Sequence, residues 1–201
     1  VRPGVSANIE GNQFVRNPPP PLSLLVKPDS CAPRLAVGCA DTLGRRSTQE
    51  DAMLVRGDPT GTGKWDVVGI FDGHGGQEIA AAAAKYVHAH LPTALQENNS
   101  SSGGGSGGEA TVERDWSMKE RLRQLLHEAS EACRQRQRQP VGSTALLGVF
   151  EQREGGGVVL HTANVGDTRA VLSRAGRAVR LSVDHKPTTA AERARVFGHG
   201  G

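Results

Sequence analysis

Apolar and polar positions fall into distinct periodic stretches along this 201-residue chain. Leu35, Val37 and Cys39 alternate with small residues, which predicts a strand. Met53–Arg56 and Trp65–Phe71 follow as strands, and Val67, Val68, Ile70 and Phe71 make the second a nearly continuous apolar run suited to burial on both faces. Gly57, Pro59, Gly61 and Gly63 mark the turn between them. Ile79, Ala80, Ala83, Ala84, Val87 and Leu91 then recur at helical spacing, and Pro92 is expected to close that helix. A second helix is predicted from Asp115 to Gln137, with Met118, Leu122, Leu125, Leu126, Ala129 and Cys133 as its core-facing stripe. Beyond Pro140 come short β-branched runs, Ser143–Phe150, Val158–Val165, Arg169–Ser173 and Ala178–Leu181, separated by glycine turns at 155–157 and 176. Thr188–Phe197 reads as a last helix, with Thr188 or Thr189 as N-cap and Glu192 in its first turn. Strands, two helices and then a meander predict antiparallel sheet with helices layered on it.

Composition changes this picture only locally. Hydrophobic residues make up 36% of the chain, and the dilution is concentrated in two places. Residues 1–33, with Pro18–Pro21, read as a disordered, polyproline-like arm, and residues 98–108 as a flexible Gly/Ser loop. The domain proper is expected at 34–201. A net charge of +3 and an aromatic content of 3% give no stacking platform for nucleic acid, and Arg134, Arg136 and Arg138 suit the basic end of a helix. Three scattered cysteines form no zinc or disulfide framework and suit a reducing cytoplasmic or nuclear compartment. No apolar stretch approaches the ~18–20 residues that a membrane span needs. The chain begins at Val1, so a longer or processed parent is expected.

Candidate chemistry sits at Phe71-Asp72-Gly73-His74-Gly75-Gly76, where a carboxylate ends a buried strand and glycines let the chain expose a carbonyl. An Asp side chain beside a free carbonyl is a hard-oxygen set, suited to Mg²⁺ or Mn²⁺ and poor for zinc; the same residues also suit a plain tight turn. Arg46, Ser47, Thr48 and Gln49 lead to the adjacent acids Glu50 and Asp51, just ahead of a strand. If that strand neighbours the one ending at Asp72, the acids meet at one sheet edge, where they repel unless cations lie between them. An arginine alongside is the residue type that grips phosphate in a fork. In isolation this segment is equally a solvated Arg–Glu turn.

Arg46 with Glu50-Asp51, then Asp72-Gly73-His74-Gly75-Gly76, then Gly142-Ser143-Thr144-Ala145, then Ala163-Asn164-Val165-Gly166-Asp167-Thr168-Arg169-Ala170, then Asp184-His185-Lys186-Pro187 occur in that order. This ordered set resembles the type-2C metal-dependent Ser/Thr protein phosphatases over Leu35 to Gly201. The resemblance implies an α+β, four-layer α-β-β-α sandwich of two mainly antiparallel sheets. It implies that Asp72 bridges two Mg²⁺ or Mn²⁺ ions, with Glu50 and the Gly73 carbonyl on one of them and Asp51 holding water behind them. It further implies that Arg46 fixes the phosphate, that His74 acts as general acid, and that Asp167 helps hold a third, weaker ion. The substrates would be phosphorylated Ser/Thr proteins, and the chain is expected to act as a monomer with neither nucleic acid nor membrane as partner.

The remaining motif residues read as structural. Gly142–Ala145 opens a strand with small side chains; Asn164 and Arg169 are expected to hold the Asp167 turn, and Asp184 to brace rather than bind metal. The family pattern continues past Gly201 with two further metal-binding aspartates, so the catalytic domain is expected to be truncated here and weakly active by itself. A pseudophosphatase scaffold and a small-molecule phosphohydrolase are the alternatives; the intact Arg46, Glu50, Asp51, Asp72 and His74 weigh against the first.

Overall fold

The computed structural model describes residues 24–25, 35–96, 117–134 and 141–200. The strands β1 (Leu24–Leu25), β2 (Ala52–Gly57), β3 (Trp65–Phe71), β6 (Ala145–Gln152) and β7 (Val158–Val165) form one sheet in the order β1-β2-β3-β6-β7. Only β1–β2 is parallel; the other pairs are antiparallel. Two short ribbons accompany it: β4 (Gly73–His74) with β5 (Gly142–Ser143), and β8 (Val171–Arg174) with β9 (Arg177–Arg180). Three helices complete the described chain, α1 (Glu78–Leu95), α2 (Met118–Arg134) and α3 (Ala190–Gly198). The expected α+β class with antiparallel sheet and layered helices is what forms.

Period-two register explains which side chains meet the helices. Ala52, Leu54, Trp65, Val67, Phe71, Leu147 and Val149 share one sheet face and are buried together with Ile79, Ala80, Ala83, Ala84, Val87 and Leu91 of α1 and Leu122, Leu125, Leu126, Ala129 and Cys133 of α2. These helix positions are the stripes that the spacing predicts. Phe71, Leu54, Leu91, Leu147 and Val67 are fully enclosed, each worth about 1.5–3 kcal/mol of transfer free energy.

Several expectations need correction. Leu35–Cys39 forms no strand, and Val37 is 39% exposed. The outer edge of β2 is already taken by Leu24–Leu25, which pairs with Met53 and Leu54, so the later segment has no ladder to join there. That pairing also gives two residues of the arm a place in the sheet; the rest of the arm and the 98–108 loop lie outside the described residues. Pro92 lies inside α1, which runs on to Leu95. The strand expected at Ser143–Phe150 is broken at Thr144 into β5 and β6. Helix α3 follows Thr189 as predicted, although the Thr189 hydroxyl donates to the Lys186 carbonyl (3.0 Å) and makes no side-chain cap bond. No described helix is long and apolar enough to cross a membrane.

Candidate active site

The candidate residues gather at the end of the sheet where β2 begins and β3 ends. The pairing Ala52↔Phe71 makes Asp51 and Asp72 the next residues outward on the two strands. Their carboxyls interact: Asp51 is held above the ordinary carboxylate range, first by burial, then by the Asp72 charge and a hydrogen bond to Asp72, with smaller pushes from Asp41 and Glu50. Crowding of like charges at one sheet end disfavours the ionised form of Asp51. Asp41 is itself tied to this end of the sheet by Gln49, whose Nε2 donates to its Oδ2 at 3.1 Å.

Glu50 and Gly73 meet through the backbone. A Cβ on Gly73 would come within 2.5 Å of the Glu50 carbonyl oxygen, so only glycine fits. Arg46 lies in the turn before this segment, its N–H bonded to the Leu43 carbonyl at 3.1 Å; its side chain is exposed and makes no ion pair to a described residue. His74 stands on the β4–β5 ribbon, register partner of Gly142. Its imidazole covers that glycine so closely that a Cβ there would lie 2.6 Å from Cε1 and 2.8 Å from Nε2.

Asp167 is exposed in the turn after β7 and pairs with Lys186 (Nζ–Oδ2 3.0 Å). The turn is braced as the sequence suggests. Asn164 Nδ2 donates to the Val183 carbonyl at 2.7 Å, and Arg169 forks onto Asp184 through Nε (3.3 Å) and Nη2 (2.6 Å). Asp184 also takes a bond from Arg180. The Arg169 hydrogen bonds, with help from Arg180, pull its carboxyl down to about 2.

The donor chemistry suits a divalent cation. Asp72, Asp51 and the Gly73 carbonyl are hard oxygens at a sheet end, and the Asp51–Asp72 crowding is what a cation would relieve. Among the described residues, no group of three or more His, Cys, Asp or Glu side chains converges closely enough to hold an ion by itself. The structure thus sets Asp51 beside Asp72 at the ends of neighbouring strands, brings the Glu50 carbonyl against Gly73, and holds Asp167 in a separate turn.

One residue read as packing does more. Thr144 donates its N–H to the Asp72 carbonyl (2.8 Å), and its hydroxyl accepts the Asp72 N–H (3.0 Å). The signal available in the sequence was the placement of Gly142–Ala145 among the chemistry-bearing motifs.

The family model described as protein phosphatase 2C matches residues 36–201. The chain belongs to the protein phosphatase 2C family. A probable protein phosphatase 2C 8 of Oryza sativa subsp. japonica is 31% identical over 232 residues, covering 100% of this chain and 54% of that protein. A "Protein kinase and PP2C-like domain-containing protein" of Arabidopsis thaliana is 34% identical, covering 87% of the chain and 25% of the relative. Among solved structures, a serine-threonine phosphatase 2C from Toxoplasma gondii has TM-score 0.52 at 21% identity, over 78% of this chain and 52% of the other. A C. elegans sex determining protein has TM-score 0.57 at 23% identity, over 79% and 36%. The phosphatase 2C chain here therefore spans roughly half, or less, of each relative's length, and these structural likenesses carry the fold alone.

Proposed function

We propose that the protein hydrolyses phosphoserine and phosphothreonine on proteins with the help of Mg²⁺ or Mn²⁺. The supporting observation is the Asp51–Asp72 pair across the ends of β2 and β3, beside the Gly73 carbonyl. In this reading Asp72, Glu50 and the Gly73 carbonyl hold a pair of divalent cations, Asp51 positions their water, and Asp167 serves a third, weaker site. When bound, the cations lower the pKa of the attacking water and offset charge on the phosphoryl group.

The chain's own residues do the rest. Arg46, exposed and without an ion-pair partner among the described residues, grips the phosphate oxygens in a fork. His74 donates a proton to the departing Ser or Thr oxygen, which would otherwise leave as an alkoxide. Gly142 keeps the space under the His74 ring clear. No covalent phosphoenzyme is required. Phosphorylated proteins are the substrate class, and the chain is read as a monomer of the cytoplasm or nucleus.

The test is release of phosphate from a phosphothreonine peptide with Mn²⁺ and with chelator, alongside Asp72→Asn. Mn²⁺-dependent release that Asp72→Asn abolishes is expected. Equal rates for the two proteins would remove the mechanism.

A further inference from the structure

Strand β3 stops at Phe71 and the chain resumes pairing at Gly73, leaving Asp72 out of the ladder. On the facing chain β5 stops at Ser143 and β6 begins at Ala145, leaving out Thr144. The flanking registers, Gly73↔Ser143 on one side and Ile70↔Leu146 on the other, put these two gaps opposite each other.

An ordinary antiparallel pair here would exchange two backbone bonds. One survives, from Thr144 N–H to the Asp72 carbonyl at 2.8 Å. The other is replaced: the Thr144 carbonyl accepts the Ser143 hydroxyl at 2.7 Å, and the Thr144 Oγ1 takes the Asp72 N–H at 3.0 Å. The Thr144 hydroxyl thus accepts the N–H that the carbonyl of a regular ladder pair would take. The same Oγ1 lies 2.5 Å from Thr168 Oγ1, next to Asp167. On that side Gly166, at φ +90°, approaches so closely that a Cβ would lie 2.7 Å from Thr144 Cγ2. A hydroxyl has one proton and two lone pairs, enough to serve both neighbours.

We infer that Thr144 is a positioning residue: its hydroxyl fixes the backbone at Asp72 and ties it to the turn carrying Asp167, so that the two carboxylates keep a set relation. The inference rests on the metal-dependent reading of Asp72 and Asp167. Groups bonded behind metal-binding carboxylates typically change metal affinity about 10–100-fold when removed.

The test compares Thr144→Val, which keeps the shape and loses the hydroxyl, with Thr144→Ser, which keeps it. Mn²⁺ binding is followed by calorimetry, and exchange of the Asp72 amide by hydrogen–deuterium exchange in chelator. In the valine protein, binding about tenfold weaker and faster Asp72 exchange are expected, with both restored by serine to within about twofold of the parent. Unchanged exchange and unchanged affinity in the valine protein would overturn the inference, as would a serine protein as impaired as the valine one. If the valine protein does not fold, Thr168→Val cuts only the link to the turn. Weakening of the lower-affinity Mn²⁺ event alone supports the tie, and no change refutes it. The exchange measurement needs neither metal nor turnover, so it still judges Thr144 if the phosphatase reading itself fails.

Discussion

Arg56 Nη1 donates to the His88 carbonyl at 2.5 Å. His88 is the residue four before Pro92, so its carbonyl is the one to which proline, having no N–H, cannot donate. The arginine on β2 supplies the absent bond from across the layer, and α1 continues to bury Leu95. Arg56→Leu is expected to cost about 1–3 kcal/mol, because the His88 carbonyl loses a hydrogen bond from a charged donor. The Pro92→Ala background restores a backbone N–H, so the same change there should cost clearly less. Chemical denaturation of the two single variants and the double variant checks this; equal costs in both backgrounds would refute the compensation.

Asp51 carries a charge that its surroundings disfavour. Its folded-state pKa lies above its ordinary value, so the fold is favoured while Asp51 is protonated and loses that advantage as pH rises through the folded value. At neutral pH in chelator, Asp51→Asn should therefore melt a few degrees higher than the parent. Added Mn²⁺ should reverse the order, since the parent then gains more from the ion. Thermal melts with and without Mn²⁺ test both halves.

Asp184 works in the opposite sense. Its side chain is 10% exposed between Arg169 and Arg180, and its carboxyl is lowered from 3.8 to about 2. A lowered folded pKa stabilises above the unfolded value, so its contribution is present above about pH 4 and lost as pH falls toward 2. Asp184→Asn should lower stability at pH 6 and flatten the acid limb of the stability curve. Melting temperatures between pH 6 and pH 2 provide the check; an acid limb parallel to the parent's would exclude the role.

Glu151 is 4% exposed inside the sheet layer. Its carboxylate meets Lys64 (3.3 Å), Arg153 (2.8 Å) and His161 (2.8 Å). Burial alone would raise its pKa, but hydrogen bonds from His161 and Lys64 and the nearby positive charges outweigh burial and lower it. Glu151→Leu removes the carboxylate that Lys64, Arg153 and His161 share and is expected to cost about 1–3 kcal/mol, with little dependence on salt. Denaturation at low and high salt decides it: a cost below about 1 kcal/mol, or one erased by salt, would mark it as a surface pair.

The helices and central strands were legible because one physical signal governs them. Ile79 to Leu91 and Leu122 to Cys133 repeat at helical spacing against a sheet whose strands alternate or run apolar, and burial follows. The misses share a cause as well: each depends on a partner far away in the chain. Pro92 looks like a stop until Arg56 is seen to serve His88. Leu35–Cys39 looks like a strand until Leu24–Leu25 is found on the edge of β2. For the site, sequence order supplied the candidate residues, and the β2–β3 register brought Asp51 to Asp72. Thr144 was hidden because its role is a side chain substituting for a turned carbonyl, which no spacing rule reveals.

Gly73 carries a consequence for how such a protein can change over generations. Its α-carbon is pressed against the Glu50 carbonyl with no room for a methyl group. Any replacement there must push β4 away from the backbone that leads into β2, so the scaffold tolerates drift at this point poorly. The exposed side chains of Arg46, Asp72 and His74 face no such barrier. Packing therefore restrains position 73 more tightly than it restrains those three side chains.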